Sequence, residues 1–149
     1  MSDNLDALED WAGALLAQLK PTERRKLNQS IARELRRSQQ QRIAAQQNPD
    51  GSAYAPRKPR KGLRGKAGRI KMFAKLRQAK HLKLRSDADS IGVGFLGNSA
   101  RIARVHQLGL SDRPERGAAD VRYARRELLG FTEAELEMIR DRLLQHLAL

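Results

Sequence analysis

The residues best suited to chemistry in this sequence are its three histidines, His81, His106 and His146. A helical metal site needs two ligands about four residues apart, and the three histidines lie in different elements without that spacing. Neither a nucleophile nor a second ligand stands near His106 in the sequence, so a role as general base lacks support. His106 follows an apolar run, which favours a packed or interface residue, and His146 suits the negative end of a C-terminal helix.

Other short motifs also point away from catalysis. Asp87 and Asp89 could form a carboxylate pair, but Ser-Asp-Ala-Asp-Ser between two strands is ordinary turn composition. Gly62-Leu63-Arg64-Gly65 shares only its two glycines with the Gly-x-x-Gly loop of some RNA-binding folds, and no phosphate-binding P-loop or Gly-x-Ser-x-Gly elbow occurs. The chain has no cysteine, which excludes disulfides and thiolate metal sites. We therefore predict that the protein is not an enzyme and holds no cofactor or metal.

Charge is unevenly distributed along this chain of 149 residues, whose net charge is +13. Residues 20–85 hold 21 lysines and arginines against three acidic residues, whereas residues 86–149 hold nine against ten. Residues 1–19 hold four acidic residues and no lysine or arginine. The basic middle indicates a polyanion, most obviously nucleic acid, or an acidic protein surface as partner. A solvated arm is the alternative that charge alone leaves open.

Length and composition predict one domain over residues 1–149 with a modest core. Aromatic residues are only 4% of the chain, so leucine, isoleucine, valine and alanine must build that core. No apolar run approaches the roughly 20 residues that span a bilayer. The N-terminal Met-Ser-Asp-Asn-Leu-Asp is acidic, so we expect neither a membrane span nor a signal peptide.

The first half of the chain is predicted to form two helices followed by a basic arm. Leucines at alternating spacings of three and four predict an amphipathic N-terminal helix within 1–20, and a long helix with a narrow apolar stripe is predicted over 22–47. Asn48-Pro49-Asp50-Gly51 has the composition of a turn, since proline and glycine favour the torsion angles that a turn requires. The arm over 48–68 offers only Tyr54 and Leu63 to a core, so we expect it to be disordered or ordered only in an assembly.

The second half, residues 69–149, is predicted to form an α+β core. Together with the first half it predicts an α+β fold with long N-terminal helices, a small antiparallel sheet, and a C-terminal helix packed on that sheet. The extended basic arm would lie between the second helix and the sheet. Glycines at 92 and 94 suggest close approach by another element. The predicted elements are a short helix over 70–76, a hairpin from 82–85 and 91–95, a short helix from 98 or 99 ended by Gly109, a loop over 110–120, a strand near 121–123, and a helix opened by the capping box Thr132-Glu133-Ala134-Glu135.

Four stretches in order resemble the tail-completion proteins of contractile-tailed phages, the group also called tail protein S or the virion morphogenesis family. Together they span roughly residues 22–147, which is nearly the whole chain. They are the long helix leading into Gln-Gln-Asn-Pro-Asp-Gly-Ser-Ala-Tyr-Ala-Pro-Arg-Lys (46–58), Met-Phe-Ala-Lys-Leu (72–76), Val-Gly-Phe (93–95) with Ala-Arg-Ile-Ala-Arg-Val-His-Gln-Leu-Gly (100–109), and Tyr-Ala-Arg-Arg-Glu-Leu-Leu-Gly-Phe-Thr (123–132).

The resemblance implies a structural virion protein that completes the head-proximal end of a tail and joins tail to head at the neck. It implies a homo-oligomeric ring, commonly hexameric in related neck proteins, assembled in the bacterial host cytoplasm. The implied partners are the tail tube or tail terminator, neck or connector proteins, and DNA in the channel through non-specific contact, with no membrane partner. A basic nucleic-acid-binding protein remains the alternative, and a ribosome-associated factor is a third interpretation supported by charge alone.

Charged residues are the candidates for contacts with subunits, partners or DNA in the lumen. The arm supplies most of them, the long helix supplies three, and two flank the entry to the last helix. A solvated charge worth about 0–1 kcal/mol is the ordinary alternative for each. The candidates are Arg33, Arg36, Arg37, Arg57, Lys58, Arg60, Lys61, Arg64, Lys66, Arg125 and Glu127.

Overall fold

The computed structural model describes residues 2–17, 19–57 and 71–147. Its secondary structure is mixed, with four helices and two two-stranded sheets in the described part of the chain, and this confirms the predicted α+β class. The elements are α1 (Ser2–Leu16), α2 (Pro21–Ala44), β1 (Leu82–Ser86), β2 (Ile91–Phe95), α3 (Asn98–Leu108), β3 (Ser111–Asp112), β4 (Val121–Arg122) and α4 (Glu133–Leu147).

The chain divides into two compact units. Unit 1 comprises Met1–Ser38, Leu84–Val93 and Phe131–Leu149, and unit 2 comprises Gln39–Lys83 and Gly94–Gly130. Both units draw on segments that are distant in the sequence, so neither corresponds to one half of the chain. The single domain expected over 1–149 stays a prediction. Among the described residues, no helix combines the length and apolar character that a membrane span requires.

Unit 1 is built on the apolar stripe of α2. Leu27, Ile31 and Leu35 form a buried cluster with Leu143 of α4, because residues four apart share one face of a helix. Most of the partly buried hydrophobics against this cluster come from α1, β2 and α4, so the C-terminal helix and the hairpin share one core as predicted. They include Trp11, Ala12, Leu16, Ile91, Val93, Met138 and Ile139.

Two polar contacts explain how unit 1 holds its turns. The Asn28 side chain, which is buried, donates a hydrogen bond to the Asp87 carbonyl oxygen at 2.8 Å and secures the β1–β2 turn. At the start of α4, Thr132 Oγ1 accepts the Glu135 backbone N–H at 3.1 Å, as the predicted capping box requires. The Glu135 carboxylate accepts a hydrogen bond from Ser38 Oγ at 3.0 Å, so α2 and α4 are also joined by side chains.

Unit 2 has a separate core around Ile43, Tyr54, Ala103 and Leu128. The chain leaves α2 through Gln46, whose backbone has φ 58°. The Gln46 side chain accepts the Met72 backbone N–H at 2.8 Å and donates to the Met72 carbonyl oxygen at 2.9 Å. The Gln46 side chain therefore satisfies both backbone polar groups of Met72, as a neighbouring strand would, across 26 positions of sequence.

Three predictions about unit 2 and the hairpin were wrong. Residues 72–80 form successive turns rather than a helix, and Phe73 has φ 65°, which a right-handed helix does not allow. Position 70 lies outside the described residues. Within the expected loop 110–120, β3 pairs antiparallel with β4 in the register Ser111 to Arg122. A Cβ on Gly94 would meet nothing within 4 Å, and one on Gly92 would meet only Arg85 at 3.8 Å or beyond, so neither glycine makes room for another element.

Candidate assembly site

The first ten residues of the predicted arm, 48–57, belong to unit 2, and we call them the anchor segment. It opens with the predicted turn, in which the Gly51 backbone N–H donates to the Asn48 carbonyl oxygen at 2.9 Å and Gly51 has φ 90°. Hydrogen bonds from the Ser52 hydroxyl and backbone N–H lower the pKa of Asp50. The expectation that this part of the arm lacks internal order is wrong, because Tyr54 and Asn48 bond to the main chain of Glu127 and the Arg126 side chain donates to two carbonyl oxygens of the segment.

Tyr54 fixes the middle of the anchor segment. Its side chain is 5% exposed, and its hydroxyl donates to the Glu127 carbonyl oxygen at 2.9 Å. Burial of the phenol raises the pKa of Tyr54 to about 12. The Glu127 backbone N–H donates to Asn48 Oδ1 at 2.8 Å, so both main-chain groups of Glu127 are bonded to the anchor segment.

Arg126 fixes the end of the anchor segment. Its side chain is 5% exposed and donates from Nε to the Ala55 carbonyl oxygen at 2.9 Å and from Nη2 to the Pro56 carbonyl oxygen at 3.0 Å. The pKa of Arg126 is lowered by burial and, to a smaller extent, by the positive charge of Arg57. A guanidinium stays charged despite such a shift, so a buried cation holds the main chain immediately before Arg57.

The rings of Phe73, His106 and Tyr123 pack in a row beside Arg126, and we call them the aromatic column. The His106 ring packs edge-on against Phe73 at 4.7 Å and against Tyr123 at 4.9 Å between centroids. Burial and then the charge of Arg126 lower the pKa of His106 to about 4, so the imidazole is neutral at pH 7. Its Nδ1 lies 3.4 Å from Nη1 of Arg126 and can accept that donor. His106 is thus the packed residue that the sequence predicts.

A set of side-chain amides holds residues 128–130 in place. Gln107 accepts the backbone N–H groups of Leu128 at 2.8 Å and Leu129 at 3.0 Å and donates to the Leu129 carbonyl oxygen at 2.8 Å. Gln39 donates to the Gly130 carbonyl oxygen at 2.9 Å. A Cβ on Gly130 would lie 2.5 Å from Cγ of Pro49, so only glycine lets the anchor segment pack here. Sequence reasoning missed these contacts, because a glutamine or glycine gives no sign of its distant partner.

The three histidines lie apart from one another in the described part of the chain. The three histidines each have their own local neighbour: His81 Nδ1 lies 2.6 Å from Ser99 Oγ, His106 packs in the aromatic column, and His146 lies 3.8 Å from a Glu23 oxygen. No group of three or more metal-ligating side chains occurs among the described residues.

The structure separates the predicted contact residues into three groups. Arg33 and Arg37 are exposed on α2 and Arg36 is half-buried beside them, while Arg57 is half-buried at the end of the anchor segment. Arg125 and Glu127, which the sequence offered as candidates for contacts with subunits or partners, form an ion pair with each other at 3.2 Å within one chain. A contact of either residue with another subunit would have to replace this ion pair and stays a prediction. The candidates that lie outside the described residues are Lys58, Arg60, Lys61, Arg64 and Lys66.

An apolar concavity of about 270 Å³ opens beside α3 in unit 2. Leu108, which is 51% exposed, is at its edge, and Leu96, which precedes α3, is 67% exposed. The sequence did not reveal the concavity, since its walls come from different elements. Its lining is Phe95, Ala100, Ala103, Arg104, Gln107, Leu108 and Leu129.

Known proteins are similar to this chain along nearly its whole length. The phage virion morphogenesis family matches residues 3–148. The chain is 42% identical over 142 residues to the tail completion protein S of Escherichia phage P2, an alignment that covers 93% of this chain and 94% of that protein. No solved structure matches the chain.

Proposed function

This chain belongs to the phage virion morphogenesis family, and from that membership we propose that it is a structural protein that completes the head-proximal end of a phage tail. The observation that carries the proposal is the 42% identity with a tail completion protein over 93% of this chain. The resemblance predicted from the four ordered stretches is confirmed by the same match. A structural role without catalysis agrees with a site composed of main-chain hydrogen bonds and packed rings.

We extend the proposal to head–tail joining by a ring of copies, with six the expected number. The physical support is the anchor segment, because it fixes the main chain up to Arg57. The basic residues that follow in the sequence are therefore attached to a fixed point of unit 2. Order at one end reduces the entropy that those residues lose when they settle on a neighbour. The proposed partners are adjacent copies, the tail tube or tail terminator, and neck or connector proteins. DNA in the channel is a further contact, and the location is the virion tail–neck region after assembly in the host cytoplasm.

Neutralising the basic residues beyond the anchor segment tests this function. The variant replaces Lys58, Arg60, Lys61, Arg64 and Lys66 with glutamine and keeps the chain length. Deleting residues 49–68 is the poorer test, because it also removes the buried Tyr54. We expect the variant to fold as the wild type does but to leave tails unjoined to heads when it replaces the wild-type chain during particle assembly, as counted by electron microscopy. Particles that join at the wild-type frequency would contradict the role of these charges.

Nucleic-acid binding by an isolated monomer is the second candidate, and the 21 basic residues of segment 20–85 favour it. Aromatic side chains that stack on bases would strengthen it. Tyr54 and Phe73, the two aromatic residues in that segment, pack against each other edge-on at 5.7 Å between centroids in the core of unit 2. They are therefore occupied within the fold. Salt-dependent DNA binding by a protein that never forms a ring would favour this second candidate.

A further inference from the structure

The solvent face of α2 carries basic side chains that have no ion pair with any described residue. Lys26, Arg33 and Arg37 are exposed and follow one another at spacings of seven and four, which places them on one side of the helix. Other basic residues of unit 1 do have partners: Arg24 lies 3.5 Å from Asp89, and Arg142 pairs with Glu34. Lys26, Arg33 and Arg37 thus form an exposed basic row that the described acidic residues leave unpaired.

The face of α1 that points away from the core is acidic. Asp3, Asp6 and Asp10 are exposed, follow one another at spacings of three and four, and make no ion pair with a described residue. The opposite face of α1 is committed to unit 1 through Leu8, which is 5% exposed, and Trp11. The acidic face is thus directed outward by the same packing that holds the helix.

Contacts among the described residues do not account for these carboxylates. The helix dipole favours an acid in the first turn, which accounts for Asp3 but falls off before Asp6 and Asp10. Like charges at spacings of three and four destabilise a helix, and residues 1–19 contain no lysine or arginine to offset them. A basic surface from outside the chain would remove that repulsion.

The outward face of α1 also allows another helix to approach closely. Beyond the carboxylates it carries Gly13, Ala14 and Ala17, all exposed, and a Cβ on Gly13 would meet nothing within 4 Å. Glycine within a helix costs about 1 kcal/mol relative to alanine. Short side chains beside a row of charges suit a helix that lies flat against a partner.

We propose that the acidic face of α1 in one copy docks on the basic face of α2 in the next copy. Asp3 and Asp10 are seven residues apart, as are Lys26 and Arg33, so both pairs of charges repeat at about 10.5 Å along their helices. The two faces differ, so the contact is heterologous and successive copies can close a ring. The inference rests on the proposed ring and names the surface that forms it.

Charge reversal on both faces tests the contact in the full chain. The first variant combines Asp6→Lys and Asp10→Lys, and the second combines Arg33→Glu and Arg37→Glu. We expect each variant alone to associate at least about tenfold more weakly than the wild type in sedimentation velocity and native mass spectrometry. Mixing the two variants restores assembly, because each reversed face then meets a reversed partner. Circular dichroism checks that both remain folded.

A matched control places the same charge change on another helix. Glu137 and Asp141 are exposed on α4, four residues apart, and the combination Glu137→Lys and Asp141→Lys is expected to leave association unchanged. An Asp6→Lys, Asp10→Lys variant that assembles like the wild type overturns the interface and leaves the ring intact. Failure of the mixture to restore assembly also overturns it. A wild-type chain that stays monomeric overturns both the ring and the interface. If the Arg33→Glu, Arg37→Glu variant alone loses DNA binding while its assembly is unchanged, the interface is overturned and the α2 face is assigned to nucleic acid.

Discussion

Arg126 donates a hydrogen bond from Nε to the carbonyl oxygen of Ala55 at 2.9 Å, across 71 positions of sequence. This bond joins the segment that leads into α4 to the segment that precedes the basic residues. The bond holds the start of the arm within unit 2. The basic residues that follow Arg57 in the sequence are therefore attached to a fixed part of the fold.

Replacing Arg126 with alanine is expected to destabilise the chain by about 2–4 kcal/mol. The change removes two charge-assisted hydrogen bonds and leaves the Ala55 and Pro56 carbonyl oxygens without their donor. Urea denaturation followed by circular dichroism measures the loss. Arg125→Ala is the matched control, because the Arg125 side chain is 66% exposed and its ion pair is worth about 0–1 kcal/mol. Equal effects of the two substitutions would contradict the role given to Arg126.

Tyr54→Phe is expected to cost about 1 kcal/mol, because it removes only the hydroxyl that donates to the Glu127 carbonyl oxygen. Tyr54→Ala is expected to cost about 3–5 kcal/mol, since it also leaves a cavity in the core of unit 2. Comparing the two free energies of unfolding separates the hydrogen bond from the packing. If the anchor segment were not docked, both substitutions would be nearly neutral.

Stability is expected to fall as the pH is lowered from about 6.5 to about 4, with His106 as one cause. Its pKa is about 4 in the folded state, against 6.5 for an unperturbed histidine, so between these values the unfolded state binds the proton and the folded state does not. Below about pH 4 both states are protonated and this contribution levels off. Urea denaturation at several pH values, repeated with His106→Gln, measures it as the difference between the two pH profiles.

The depressed carboxyl pKa values act in a different pH range. Asp87 and Asp112 have pKa values below the ordinary 3.8 because hydrogen bonds favour their charged forms, from backbone N–H groups at Asp87 and from Arg101 at Asp112. The stability that these two carboxylates contribute is fully present above their ordinary pKa of 3.8 and is lost as the pH falls through their lower folded pKa values. A pH profile that keeps its full slope between about 4 and 6.5 in His106→Gln would contradict the assignment to His106.

Gly130→Ala is expected to destabilise the chain by about 1–3 kcal/mol, because its Cβ would lie 2.5 Å from Cγ of Pro49. Pro49→Ala in the same chain should recover part of the loss by removing the ring that clashes. Gly94→Ala serves as the control, since a Cβ there meets nothing within 4 Å. Thermal unfolding of these chains beside the wild type tests this, and a Gly130→Ala chain as stable as the control would show that Pro49 does not pack there.

Several elements were predictable because their causes are local. The leucines and isoleucine of α2 repeat every four residues, Thr132 begins α4 with its hydroxyl, and Asn48 to Gly51 contains the residues that a turn requires. Periodicity and capping act over a few residues, so they can be recognised without knowledge of the fold. The short helix predicted over 70–76 was wrong, because Phe73 takes φ 65° between two rings from distant positions.

The helical stripes, the cap of α4, the family and the surplus of positive charge all followed from the sequence alone. Which of two adjacent arginines holds the arm depended instead on the folded chain, since Arg126 is 5% exposed whereas the side chain of Arg125 is 66% exposed. The two have the same side chain and nearly the same neighbours in sequence. Their environments differ because Ala55, Pro56 and His106 approach only one of them, and contacts between distant positions leave no periodic pattern along the chain.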